Sequence, residues 1–197
     1  MNLSPRSLLD PQLPELVAQL LQRWEMPSRF LTMELTESFV MADSGRSLSV
    51  LAGLSEVGVF LSIDDFGTGY SSLSYLKRLP IGEIKIDRSF VMNMHENPND
   101  AMIVRATTDL GRNLGLRVVA EGVETREAWD QLAAWNCDIA QGYFLGRPMP
   151  AEEITRWLGR REVDGDGVAV SEPDTAPPTV TTEGQAAEAA RSHLRAI

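Results

Sequence analysis

The chain has 197 residues, 43% of them hydrophobic and 23% charged, which suits one globular domain, and its formal net charge of -10 argues against a nucleic acid polymer as partner. One cysteine, Cys137, excludes an internal disulfide, and two distant histidines, His95 and His193, leave no zinc constellation, so a reducing, cytoplasmic setting is expected. The first residues lack a basic segment followed by an apolar one, and no apolar run reaches about 18 residues, so neither secretion nor a membrane segment is expected in this chain.

In chain order, residues 2–4 have the character of a strand's tail. Turn residues follow, then an amphipathic helix over 11–24 with Leu13, Leu16, Val17, Leu20, Leu21 and Trp24 as its apolar stripe. Residues 31–36 alternate, placing Thr32, Glu34 and Thr36 on one face and Leu31, Met33 and Leu35 on the other. A connection over 38–43 leads to a helix over 46–57, whose core side reads as Leu48, Leu51, Ala52 and Leu54, capped by Gly58.

The stretch 61–91 organises the rest. A short apolar strand over 61–63 ends in two adjacent carboxylates, Asp64 and Asp65, before a loop over 66–70 punctuated by Gly67 and Gly69. A helix over 72–79 and a second strand over 84–87 complete a βαβ unit. Alternation turns Ile84 and Ile86 toward helices and Lys85 and Asp87 the other way. In a parallel barrel, inward side chains near the carboxyl ends of strands line the functional floor, so Asp64, Asp65 and Lys85 are expected to meet there. Glu34 shares the face of Asp64. Neighbouring carboxylates in a low-dielectric cleft call for a cation, and a divalent metal answers that need.

Further on, a polar loop over 94–100 precedes a helix of about fifteen residues that stops near Gly115. His95 reads as a solvated surface histidine. A strand over 117–123 carries Val119, Glu121 and Val123 inward, a helix over 125–135 follows, and a last strand over 138–144 offers Gln141 and Tyr143. A closing helix spans 150–160. Beyond residue 161 the composition turns small, polar and proline-containing, so 162–197 is expected to be a disordered tail, weakly helical over 185–196.

Taken together, ELTES at 34–38, DDFGTGYSSL at 64–73, KIDRSFV at 85–91, AEGVET at 120–125 and QGYFLGRPMP at 141–150 resemble the EAL family of cyclic di-GMP phosphodiesterases. The resemblance implies an α/β fold, a (β/α) TIM-like barrel, over residues 1–161. It implies metal ligands at Asn2, Glu34, Asp64 and Asp65, with Glu121 on a second ion, the ions being Mg2+ or Mn2+. Lys85 would contact the attacking water and phosphate, and Gln141 the water or ligand. Glu37 and Glu124 would be structural, Glu37 steadying the 66–70 loop, which in that family also serves dimerisation.

The family's glutamate, alanine and leucine motif does not occur in this sequence, and Asn2 falls about where the family's third strand would end. The expectation is therefore an incomplete barrel holding about two thirds of the family domain, with the first strands and helices missing. An open side would expose a strand edge and apolar helix faces and favour a homodimer or another chain that completes the barrel. In that family the motif's glutamate is a metal ligand and the arginine after it holds substrate phosphate, so hydrolysis of cyclic di-GMP to linear pGpG by this chain is expected to be severely impaired; against it stand two alternatives, an inactive module that binds the nucleotide or a protein, and a gene fragment.

Overall fold

The computed structural model describes residues 1–38, 46–69, 73–163 and 195–196, and side chains throughout these except at 46, 158–163 and 195–196. The chain forms two compact units, Met1–Asp87 with Asp109–Val118, and Arg88–Thr108 with Val119–Ile197.

The first unit carries α1 (Leu13–Arg23), β1 (Thr32–Thr36), α2 (Arg46–Val57), β2 (Phe60–Phe66), α3 (Leu73–Leu76) and β3 (Glu83–Ile86). β1 and β2 are parallel, with Glu34 opposite Ser62 and Thr36 opposite Asp64. β2 and β3 are parallel too, pairing Ser62 with Glu83 and Ile63 with Ile84. Helical crossovers are what parallel neighbours require. On the other side of β1 Asn2 bridges Glu34 in parallel, with Leu3 N–H donating to the Glu34 carbonyl at 2.8 Å, so the expected strand tail at 2–4 is present as a bridge. Period-2 alternation holds in β1, where Met33 and Leu35 are buried and Glu34 sits on the opposite face.

Four details depart from the sequence reading. The stripe of α1 is only half used: Val17 and Leu21 are buried, whereas Leu16, Leu20 and Trp24 are 51%, 45% and 74% exposed. On α2 the buried side is Ser47, Val50, Leu51 and Leu54, and Ala52 faces solvent. β2 does not stop at Ile63 but continues through both aspartates. The helix expected over 72–79 is a single turn, and the connection over 39–43 lies outside the described residues. Gly58, at φ +88°, ends α2 in the left-handed region that glycine enters without penalty.

The second unit holds α4 (Arg88–Asn93), α5 (Pro98–Leu114) up to residue 108, β4 (Arg117–Glu121) from Val119, α6 (Arg126–Ala134), β5 (Ile139–Gln141), α7 (Ala151–Val163) and β6 (Arg195–Ala196). α4 has no counterpart in the periodicity, because six residues are too few for a helical period to register. Thr125 caps α6, its Oγ1 accepting from Ala128 N–H at 3.2 Å. β4 and β5 are parallel, pairing Val119 with Ile139 and Glu121 with Gln141. Trp129, Leu132, Val123, Cys137 and Leu145 form this unit's buried centre. The strand expected over 138–144 is only three residues long, so Tyr143 lies in the following turn, 52% exposed. Residues 164–194 of the expected tail lie outside the described residues, and 195–196, rather than helical, pair as β6 with β5.

Candidate active site

Strand geometry alone would send Asp64 and Asp65 to opposite faces of β2. The register slips between Ile63 and Phe66, and Asp65 takes φ +56°, a left-handed conformation that aspartate tolerates better than most residues. A bulge of this kind re-aims a side chain beside a site. Both carboxylates consequently join one cluster. Lys85, 6% exposed in β3, places its Nζ 3.2 Å from Glu34 Oε1 and 3.3 Å from Asp64 Oδ1. Two carboxylates from two strands thus share one buried ammonium, and its charge is what allows them to be packed together.

Asp65 belongs to the same cluster. Burial first, then the neighbouring Asp64 and Asp87 carboxylates and a hydrogen bond with Asp87, hold its carboxyl above the ordinary value of 3.8, with Lys85 opposing. Asp87 is therefore part of this cluster, although no site role attaches to it in the sequence reading. The signal was available, since Asp87 alternates with Lys85. The Asn2 backbone is bridged to Glu34 while its residue is exposed. Ser62 lies opposite Glu34 in the strand pairing, and its buried Oγ has no hydrogen-bond partner among the described residues.

Glu37, fully buried just after β1, accepts from Gly67 N–H at 2.8 Å and Gly69 N–H at 3.2 Å through Oε2. A side chain on residue 69 would press its Cβ to 3.1 Å from Glu37 Oε1, so glycine there is what admits the carboxylate. Tyr70, the loop's last residue, lies outside the described residues.

In the second unit Glu121, Glu124 and Gln141 line one cleft of about 250 Å³ together with Arg88, Met92, Gly122, Gly142 and Tyr143. The pairing of Glu121 with Gln141 brings their strand ends level. Val123 N–H then donates to the Gln141 carbonyl at 3.0 Å, and Phe144 N–H to the Val123 carbonyl at 3.0 Å. Gly142 is required between them, because any Cβ would collide with the Val123 backbone. Arg88 was not anticipated from sequence. It lies on the short α4, and no periodicity marks it.

Oxygen donors alone, from carboxylates and an amide, suit a hard divalent ion such as magnesium or manganese. Glu34 and Asp64 converge within reach of a single cation, and their present cation is Lys85. Among the described residues no three acidic, histidine or cysteine groups are already gathered closely enough to hold an ion. In kind the residues fit such an ion, with Lys85 as its local competitor.

Parallel strands joined by helices, carrying carboxylates and a buried lysine near the strands' carboxyl ends, define an α/β protein of the class that puts its chemistry at one end of the strands. Within that class the chain belongs to the EAL domain family, whose profile matches residues 1–148. It is 48% identical over 153 residues to the bifunctional diguanylate cyclase/cyclic di-GMP phosphodiesterase MucR of Pseudomonas aeruginosa, covering 78% of this chain and 22% of that protein. The solved MucR phosphodiesterase, in complex with c-di-GMP, superposes with a TM-score of 0.74 over 78% of this chain and 62% of that one. The EAL domain of Mycobacterium smegmatis DcpA gives 0.76 at 43% identity, over 81% and 71%. A manganese/cyclic di-GMP complex of Klebsiella pneumoniae BlrP1 gives 0.70 at 35% identity, over 75% and 38%. The chain thus spans about a fifth of the curated MucR sequence and less than two thirds of its solved phosphodiesterase. No helix among the described residues is long and apolar enough to cross a membrane.

Proposed function

We propose that this chain carries the catalytic site of a metal-dependent phosphodiesterase that hydrolyses cyclic di-GMP to linear pGpG. The observation that carries the reading is the convergence of Glu34 and Asp64 on Lys85, with Asp65 and Asp87 alongside. The complexes of MucR with c-di-GMP and of BlrP1 with manganese support the choice of substrate and ion.

In this reading Asn2, Glu34, Asp64 and Asp65 would hold one magnesium or manganese ion and Glu121 would contribute to a second. Such ions supply an activated water and neutralise charge in an in-line displacement at phosphorus. Lys85 Nζ, which reaches Glu34 and Asp64, would donate to the attacking water and a phosphate oxygen, as a compact point charge does well. Gln141 donates to the water or the nucleotide from the β5 end. Glu37 fixes the backbone of Gly67 and Gly69, so that Asp65 keeps its re-aimed position. Glu124 supports the turn after β4, and the 66–70 loop is the surface for a homodimer.

A binding module without turnover is the second reading, favoured by the hold Lys85 has on both carboxylates. Both are tested by incubating the purified chain with cyclic di-GMP and magnesium or manganese, following the linear dinucleotide, with Glu34→Ala as control. Hydrolysis that the substitution abolishes is the expected result. No hydrolysis by a folded sample that still binds the nucleotide would overturn the first reading in favour of the second.

A further inference from the structure

Lys85 and Glu34 meet across a strand that lies between their own. β2 separates β1 from β3, and the pairing sets Glu34, Ser62 and Glu83 in one row, Glu34 opposite Ser62 and Ser62 opposite Glu83. Partners in a parallel register share a face, and Asp64 and Lys85, each two residues further along, share it too. The 3.2 Å contact of Lys85 Nζ with Glu34 Oε1 therefore spans β2 at about the level of Ser62. A short side chain there leaves room for it. All of these residues belong to the first unit.

Alanine would be short enough, yet residue 62 carries a hydroxyl. Its Oγ is fully buried, and among the described residues it is the one buried side-chain oxygen or nitrogen without a hydrogen-bond partner. An unpaired buried hydroxyl costs stability, so it calls for a partner in another state of the site. Two carboxylates flank it. Glu83 is already committed: Arg117 Nη2 lies 3.3 Å from its Oε2, and that guanidinium is itself held over the Phe60 ring at 4.2 Å. Glu34 is the more open of the two, 24% against 8%, and is the one assigned to an ion above. We propose that Ser62 is a positioning residue for Glu34, its hydroxyl donating to the carboxylate and holding it toward a divalent cation. The inference rests on the metal-dependent reading of the site. Carboxylates that bind a metal are generally oriented by a hydrogen bond from a neighbouring group, and losing that group weakens metal binding by about 10- to 100-fold.

Manganese titrated onto the metal-free full chain tests this, with free Mn2+ followed by electron spin resonance in the parent, Ser62→Ala and Glu34→Ala, and melting temperatures measured on the same metal-free samples. Ser62→Ala should bind manganese about tenfold more weakly. It should nevertheless melt no lower than the parent without metal, because the hydroxyl removed had no partner there. A merely structural serine would lower both quantities together, and that outcome overturns the inference. Equal manganese affinity in Ser62→Ala, where the parent binds and Glu34→Ala does not, overturns it as well and leaves the metal-dependent reading standing. No manganese binding by the parent overturns both.

Discussion

The acidic cluster of the first unit and the cleft of the second both hold carboxylates at strand ends, but they are built differently. Around Lys85 the charges are largely buried and interlocked, two carboxylates sharing one ammonium, so each group depends on the others. Around Gln141 the side chains are mostly in solvent: Gln141 and Glu124 are exposed, and backbone bonds rather than ion pairs hold the turn. An interlocked buried network concentrates stability and function in the same residues. An exposed cleft separates them, so a substitution there can alter chemistry without touching the fold.

The sharpest way to break this contrast is Lys85→Met. Truncating the cation leaves Glu34 and Asp64 facing each other without compensation, and because they retain 24% and 19% exposure the cost should sit at the low end for a broken buried pair, about 3 kcal/mol. Chemical denaturation in metal-free buffer measures it. Manganese should then raise the melting temperature of this variant more than that of the parent, since the ion supplies the missing positive charge. Equal shifts would mean that Glu34 and Asp64 do not hold a cation. Next in size is Glu37→Ala, which orphans the Gly67 and Gly69 amides. A loss of about 2 kcal/mol, with faster exchange confined to residues 66–69, is the expected result.

How much of this was legible in the sequence follows the same division. The meeting of Glu34, Asp64 and Lys85 could be read from period-2 alternation, because strands repeat a side-chain direction every second residue and parallel register keeps those residues on one face. Asp65 was placed there with Asp64 as a carboxylate at a strand's end, although alternation by itself sends it away and the bulge that brings it back leaves no mark in composition. Asp87 was readable and carried no role. Arg88 and α4 were not readable, because one and a half turns give no period. β6 was hidden for a related reason: two residues at the end of a stretch of small and polar residues look like tail until a partner strand is in view. The half-used stripe of α1 shows the converse. Its periodicity correctly announced a helix but could not say that Leu16, Leu20 and Trp24 would remain exposed, an apolar face that light scattering would reveal through association of the chain.

A smaller effect, of opposite sign, is expected at Asp65. Its carboxyl keeps a proton to higher pH in the folded chain than in the unfolded one, so between 3.8 and its raised value the native state binds more protons, and stability falls as pH rises through that window. Above the window the penalty persists in full. Asp65→Asn removes it while keeping a residue that tolerates φ +56°, so the metal-free variant should melt higher at pH 7, with the gain vanishing below pH 3.8. A lower melting temperature at pH 7 would show that the bulge, rather than the charge, needs the carboxylate.

Gln141→Ala marks the far end of the comparison. An exposed side chain with its backbone already bonded to Val123 should cost less than about 0.5 kcal/mol of stability, because nothing buried is left without a partner. If Gln141 touches the water or the nucleotide, turnover should nevertheless fall by about tenfold, within the range expected when one polar contact in a transition state is lost. Denaturation and hydrolysis measured on the same preparation separate the two quantities. Stability and turnover falling together would place Gln141 among the interlocked, fold-bearing residues and remove the distinction between the two sites. Turnover falling alone would locate the tunable part of the chemistry in the second unit, where the chain can change a contact without disturbing the buried charges that hold the first unit's strands in place.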